Sequence, residues 1–147
     1  MDHKLTPKRS RDLFASGYYC AESVLLALAE YQEIQSDLIP RIATGFCSGI
    51  ARSGGQCGAV SGAILGLGLV AGRSNPEETV DRTYILVNEL IHRFHDHFGS
   101  IVCPQLLGCD VNTPEGQEFY RSQQLFDHCL DYVEEATRIA VDLLAKQ

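Results

Sequence analysis

An all-α, single-domain helical bundle is the fold this sequence predicts, and three observations predict it. Apolar residues recur at three- and four-residue spacing along several stretches, no useful length of chain alternates apolar and polar residues, and helix-start and helix-stop signals punctuate the chain. The 147 residues suit one domain over 1–147, with no repeat, low-complexity tract or evident linker. At this size a folded chain buries roughly 68–70 % of its unfolded surface, enough for a core without staples.

Thr6-Pro7 is a cap-then-proline start for a first helix running to about Ser16, where Gly17 ends it. A second helix is expected from about Tyr19 to Glu33. On it Cys20, Val24, Ala27, Leu28 and Tyr31 share an inward face. A shorter helix covers Leu38 to Phe46, and Cys47-Ser48-Gly49 through Gly55 reads as loop.

A buried, glycine-rich central helix follows, from Cys57 to about Gly72, with Gly58, Gly62 and Gly66 on one stripe. Each glycine weakens a helix by roughly 1 kcal/mol relative to alanine, so something must compensate. One reading is close backbone approach by a neighbouring helix. The other is that Gly58 lets a substrate, partner thiol or cofactor reach Cys57.

Asn75-Pro76-Glu77-Glu78 signals the start of a long amphipathic helix through Val80, Tyr84, Val87, Ile91, Phe94 and Phe98, stopped by Gly99. Cys103-Pro104 opens a short turn ending near Gly108, with cysteine in the cap position, and Thr113-Pro114-Glu115 starts another helix. Asp127 is placed to cap the last helix, which carries Leu130, Val133, Ala136, Ala140 and Leu143 inward and Cys129 in its first turn.

Composition narrows the function classes. A formal charge of -7 and a pI near 5.1 provide no basic footprint, so nucleic acid is not an expected partner. Ser53 to Gly72 is uncharged between Arg52 and Arg73, but its apolar part, Cys57 to Ala71, is shorter than the ~20 residues of a spanning helix. No signal peptide is visible, so the expectation is a cytoplasmic protein without a membrane span and with reduced thiols.

The chemistry lies in the cysteines. Four of the six, Cys20, Cys57, Cys103 and Cys129, fall at expected helix starts, where unpaired N–H groups and the helix dipole stabilise a thiolate. Cys57, after Ser53-Gly54-Gly55-Gln56, is the leading nucleophile, with its pKa expected below the ordinary value near 8.5 and Arg52 available to add positive charge. Cys20, Cys103 and Cys129 are the candidate resolving thiols, and the spacing does not choose among them.

A zinc site is the weaker reading because no CxxC-type pair is present, and c-type haem is disfavoured because there is no C-x-x-C-H. Iron–sulfur ligation by the four dispersed thiolates is the alternative to thiol redox chemistry. Glu89-Leu90-Ile91-His92 has the Glu-x-x-His spacing of di-iron bundles without a second copy. With His95 and His97 it is therefore read as a solvated helix end. A third reading has the thiols merely packing and the glycine stripe serving a dimer interface.

The ordered segments Phe14–Val24, Cys57-Gly58-Ala59-Val60-Ser61-Gly62 with Leu67-Gly68-Leu69, Cys103-Pro104-Gln105-Leu106-Leu107-Gly108 and the helix carrying Cys129 resemble the redox-active protein family named for its C_GCAxxG_C_C motif. The resemblance implies that the family's four positions are Cys20, Cys57, Cys103 and Cys129. Cys47 and Cys109 are then additions, able to form a second couple, to extend a metal site or to do nothing. It also implies thiol redox chemistry without naming a substrate; for the thiol reading the expected partner is a redox partner protein or a small thiol. An electron-carrier role with an iron–sulfur cluster or another thiophilic metal stands beside it.

Overall fold

Gly58, Gly62 and Gly66 determine how the chain is laid out. In a computed structural model describing residues 2–147, the helix that carries them, Gly58–Ala71, lies directly against the helix Cys20–Tyr31. A Cβ at Gly62 would stand 2.6 Å from the Ala21 carbonyl oxygen, and one at Gly66 would collide with Leu28 Cδ1. Without side chains on that stripe the two backbones meet, and the close packing compensates the poor helix propensity of glycine. The stripe is thus occupied by a helix of the same chain rather than left for a dimer interface.

Among the described residues the order is α1 (Thr6–Ala15), α2 (Cys20–Tyr31), a 3₁₀ turn (Arg41–Phe46), α3 (Cys47–Arg52), α4 (Gly58–Ala71), α5 (Asp81–Phe98), α6 (Cys103–Leu107), α7 (Pro114–Ser122) and α8 (Leu125–Ala145). No strand is present among them. A lone antiparallel bridge joins Gln56 to Val102. The fold is therefore all-α, as expected.

Helix α4 is the hub, packing on α2, α5 and α8. Its apolar residues interlock with fully buried Val24, Leu28, Leu90, Phe94 and Val133 from those three helices. Burying side chains of this size contributes roughly 1.5–3 kcal/mol each. Helix α1 closes the other side of α8, and ion pairs of Arg9 with Glu30 (2.9 Å) and of Arg11 with Asp131 (2.8 Å) fix it at the surface. No described helix is long and apolar enough to cross a membrane.

Four stretches differ most from expectation, each for a local reason, while Thr6, expected as a cap, is the first residue of α1 after Leu5. Pro40 lies inside the stretch expected to form a helix from Leu38, and the segment becomes a 3₁₀ turn only after it, because proline restrains the preceding residue and removes a donor. The Asn75–Glu78 signal makes a closed turn instead of a helix start. Asn75 Oδ1 accepts the Glu77 N–H (3.0 Å) and Asn75 Nδ2 donates to Glu78 Oε1 (2.9 Å), so the capping groups are satisfied locally and α5 begins at Asp81.

At the other end, α8 starts at Leu125 after Gln124 turns the chain with φ +54°, which places Asp127 inside the first turn and Cys129 one turn deeper than expected. The fourth difference is the segment read as loop after Phe46. Ser48, Gly49, Ile50, Ala51 and Arg52 all have positive φ, between 53° and 68°, forming a turn of left-handed helix. For residues with a Cβ this costs roughly 1–2 kcal/mol each.

Candidate functional site

Cys57 is the N-cap of α4, and its sulfur faces the N–H groups of Ala59 and Val60, the second and third helical residues. The backbone holds it from behind. Cys57 N donates to Ile101 O (2.7 Å) and Cys103 N donates to Gly55 O (2.9 Å), on either side of the Gln56–Val102 bridge. This short ladder joins the entries of α4 and α6, so the helix starts bearing Cys57 and Cys103 are positioned as a unit.

Cys103 is the first residue of α6, after Val102 rather than in the cap position. A Cβ at Gly49 would stand 2.5 Å from Cys103 Cβ, so the left-handed turn presses on this cysteine and only glycine fits there. Cys20 opens α2, where the Tyr19 backbone N–H donates to Glu22 Oε1 (2.9 Å). Its sulfur accepts the backbone N–H of Ser48 at 3.4 Å and lies so close to Gly58 that a Cβ there would collide with it. Cys129 reaches the same region from the second turn of α8.

These four sulfur-bearing residues, from four different helices, line one cavity of about 460 Å³. Its walls are mostly apolar, with Phe14 stacked on Phe126 (ring centroids 4.9 Å apart) and Leu106, Leu107 and Val111 opposite. Arg52 and Arg121 stand at its exposed rim. Cys47 and Cys109 do not line it; Cys47 is buried behind Cys20, and all six cysteines are free thiols.

The electrostatics run against the expected activation of Cys57. Its two helix N–H neighbours do pull the pKa down, but burial is the larger effect, and Cys129 and Cys103 add to the rise, so the thiol is pushed up to about 12. Burial likewise pushes Cys103 up to about 11, with Cys109 contributing. Cys129 is pushed up to about 11 by burial while the Tyr120 hydroxyl, facing its sulfur, draws it down. These are proton-holding thiols in a low-dielectric wall. The helix-end N–H groups act on Cys57 in the expected direction, and desolvation outweighs them.

Two tyrosines complete the cavity and were not singled out from the sequence. Tyr120, on α7, has its phenol pKa raised by burial first and then by Cys129, and Cys20 and Cys103 also act on it. Tyr132 follows Cys129 by one helical turn, a spacing that places both on one face of α8. Its hydroxyl donates to Leu106 O (3.2 Å), and burial raises its pKa to about 12. No sequence signal marks Tyr120, which arrives through the packing of α7 on α8.

The histidines stay outside. His92, His95 and His97 are exposed on the last turns of α5, His92 pairs with Asp96 (3.2 Å), and Glu89 pairs with Arg93 (2.8 Å). Among the described residues no three His, Cys, Asp or Glu side chains gather closely enough to hold one metal ion.

Among curated proteins and among solved structures, none matches the chain. The family model described as "Putative redox-active protein (C_GCAxxG_C_C)" matches residues 18–143, which takes in all four cavity cysteines. The chain therefore belongs to the C_GCAxxG_C_C family of redox-active proteins.

Proposed function

We propose that the cavity is a thiol–disulfide redox site in which Cys57 and either Cys129 or Cys103 interconvert between dithiol and disulfide, with a small organic disulfide or thiol as the exchanging molecule. The observation that carries this reading is the convergence of Cys20, Cys57, Cys103 and Cys129 on one 460 Å³ cavity. That volume lies within the roughly 300–1,000 Å³ of small-molecule sites, and the apolar walls suit an uncharged S–S bond. Cys129 and Cys103 both act on the Cys57 thiol, adding to the rise in its pKa.

In the oxidising direction one cavity thiol loses its proton and attacks the substrate disulfide. The substrate S–S bond breaks, one thiolate leaves, and a second cavity thiol displaces the other from the mixed disulfide. Because burial keeps these thiols protonated at neutral pH, attack requires a base or proton acceptor to act with it. The Tyr120 hydroxyl is placed to donate to the Cys129 thiolate as it forms.

The test is oxidation of the reduced full chain with bis(2-hydroxyethyl) disulfide, followed by alkylation and peptide mapping. A disulfide joining Cys57 to Cys103 or Cys129 is expected. If all four thiols remain reduced, the reading fails. Anaerobic purification with iron and sulfide analysis separates it from the cluster alternative: stoichiometric iron and inorganic sulfide, lost with the four cysteines, would replace it.

A further inference from the structure

We propose that Cys47, outside the four family positions, is the resolving partner of Cys20, so that the protein holds a second dithiol–disulfide couple set into the cavity wall. The inference rests on the thiol reading above and adds a pair to it.

Three contacts bring the two cysteines together. Cys20 packs against the small cluster formed by Ala21, Leu25, Ala43 and Cys47. The residue that follows Cys47 donates its backbone N–H to Cys20 Sγ at 3.4 Å. The Cys47 thiol lies beside the Cys20 sulfur, near enough to act on it, and hydrogen-bonds to Ala43 O at 3.7 Å. The Cys20 sulfur, ahead of burial, pushes the Cys47 pKa up.

The pair is also ordered with respect to the cavity. Cys20 is half-buried and lines it, whereas Cys47 is 4 % exposed and takes no part in the lining. A molecule in the cavity therefore meets Cys20 and not Cys47. Thiol–disulfide exchange proceeds with three sulfurs nearly in line, so a resolving thiol is best placed opposite the departing group. The Ser48 N–H supports negative charge on Cys20 during attack.

With a small disulfide RSSR as oxidant the electrons balance. The Cys20 thiolate attacks one sulfur, the S–S bond of RSSR breaks, and RS⁻ leaves and takes the proton that Cys20 released. The Cys47 thiol then gives up its proton and attacks Cys20 Sγ, breaking the mixed disulfide and releasing the second RS⁻ to receive that proton. The two cysteines are oxidised by two electrons to Cys20–S–S–Cys47, and RSSR is reduced to two RSH.

The test treats the reduced full chain with bis(2-hydroxyethyl) disulfide, quenches with acid, alkylates after unfolding and maps each cysteine. A Cys20–Cys47 crosslink is expected in the wild-type chain. In Cys47→Ser and Cys47→Ala, Cys20 is expected to accumulate as the mixed disulfide with mercaptoethanol, persisting about tenfold longer or more. Cys20 joined to Cys57, Cys103 or Cys129 with Cys47 still alkylatable would overturn the pairing. If Cys57 pairs with Cys103 or Cys129 while Cys47 stays reduced, only this inference falls; if no cysteine oxidises, the thiol reading falls with it. The wild-type map needs no variant, so it decides the pairing even where a substitution at buried Cys47 prevents folding.

Discussion

Gly62 and Gly68 lie on the same helix and face opposite demands. A methyl group at Gly62 would meet the Ala21 carbonyl oxygen at 2.6 Å and Ala21 Cα at 2.9 Å, backbone atoms of α2 that cannot swing aside. At Gly68 an added Cβ meets nothing within 4 Å. Gly62→Ala is therefore expected to destabilise the protein by about 1–3 kcal/mol through overpacking, despite its better helix propensity. Gly68→Ala is expected to stabilise it by about 0.5–1 kcal/mol. Denaturant unfolding of the two variants checks this, and equal effects would mean that the α2–α4 contact is looser than the structure has it. Gly58 stands apart from both, because a Cβ there meets the Cys20 sulfur, so the first glycine of the stripe shapes the site as well as the packing.

The element that most sets this molecule apart is the left-handed turn of α3. Five successive positive φ values include Ile50, a β-branched residue, and the turn is held by Gly55 N donating to Gly49 O (3.1 Å) and Ser53 N to Ile50 O (3.1 Å). Strain of this kind is kept where the surroundings over-determine it, and here both neighbours are site cysteines: Ser48 bonds Cys20 and Gly49 abuts Cys103. Ala51 is exposed at φ +53°, ψ +38°, so Ala51→Gly removes a Cβ penalty without removing a contact to the core. The expected result is a gain of about 1 kcal/mol in unfolding free energy, read from the denaturant midpoint at unchanged slope. A loss instead would show that the Ala51 methyl makes a stabilising contact that outweighs the strain.

At the scale of the whole molecule, what the sequence made legible was local. Glycine spacing announced a helix-on-helix contact, Thr113-Pro114 announced α7, where Thr113 Oγ1 does accept the Gly116 N–H (2.9 Å), and cysteine placement selected the four residues that line one cavity. What it hid depended on neighbours distant in the chain. The desolvation of Cys57 comes from the bundle closing around it, Tyr120 enters through α7–α8 packing, and the Cys20–Cys47 contact joins residues from α2 and α3. The left-handed turn was hidden for another reason, since Ser-Gly-Ile-Ala-Arg carries no propensity for that conformation beyond its one glycine.

The bundle's own stability records the state of the site. Cys57, Cys103 and Cys129 hold their protons to about 12, 11 and 11, whereas thiols of the unfolded chain release theirs near 8.5. Below about pH 8.5 both states are protonated, and these groups add no pH dependence. Above it the unfolded chain binds fewer protons than the native one, so stability falls as pH rises and the loss is complete only above the native pKa values. Each such thiol contributes a slope of up to about 1.4 kcal/mol per pH unit in that window. Other groups also titrate there, so the comparison is between wild type and Cys57→Ala, both under reductant. The variant is expected to lose stability between pH 9 and pH 10 less steeply, by up to that one-thiol slope. Parallel profiles would mean that Cys57 ionises in the folded protein as readily as in the unfolded one, at an ordinary thiol pKa, which would count against a proton-holding cavity wall.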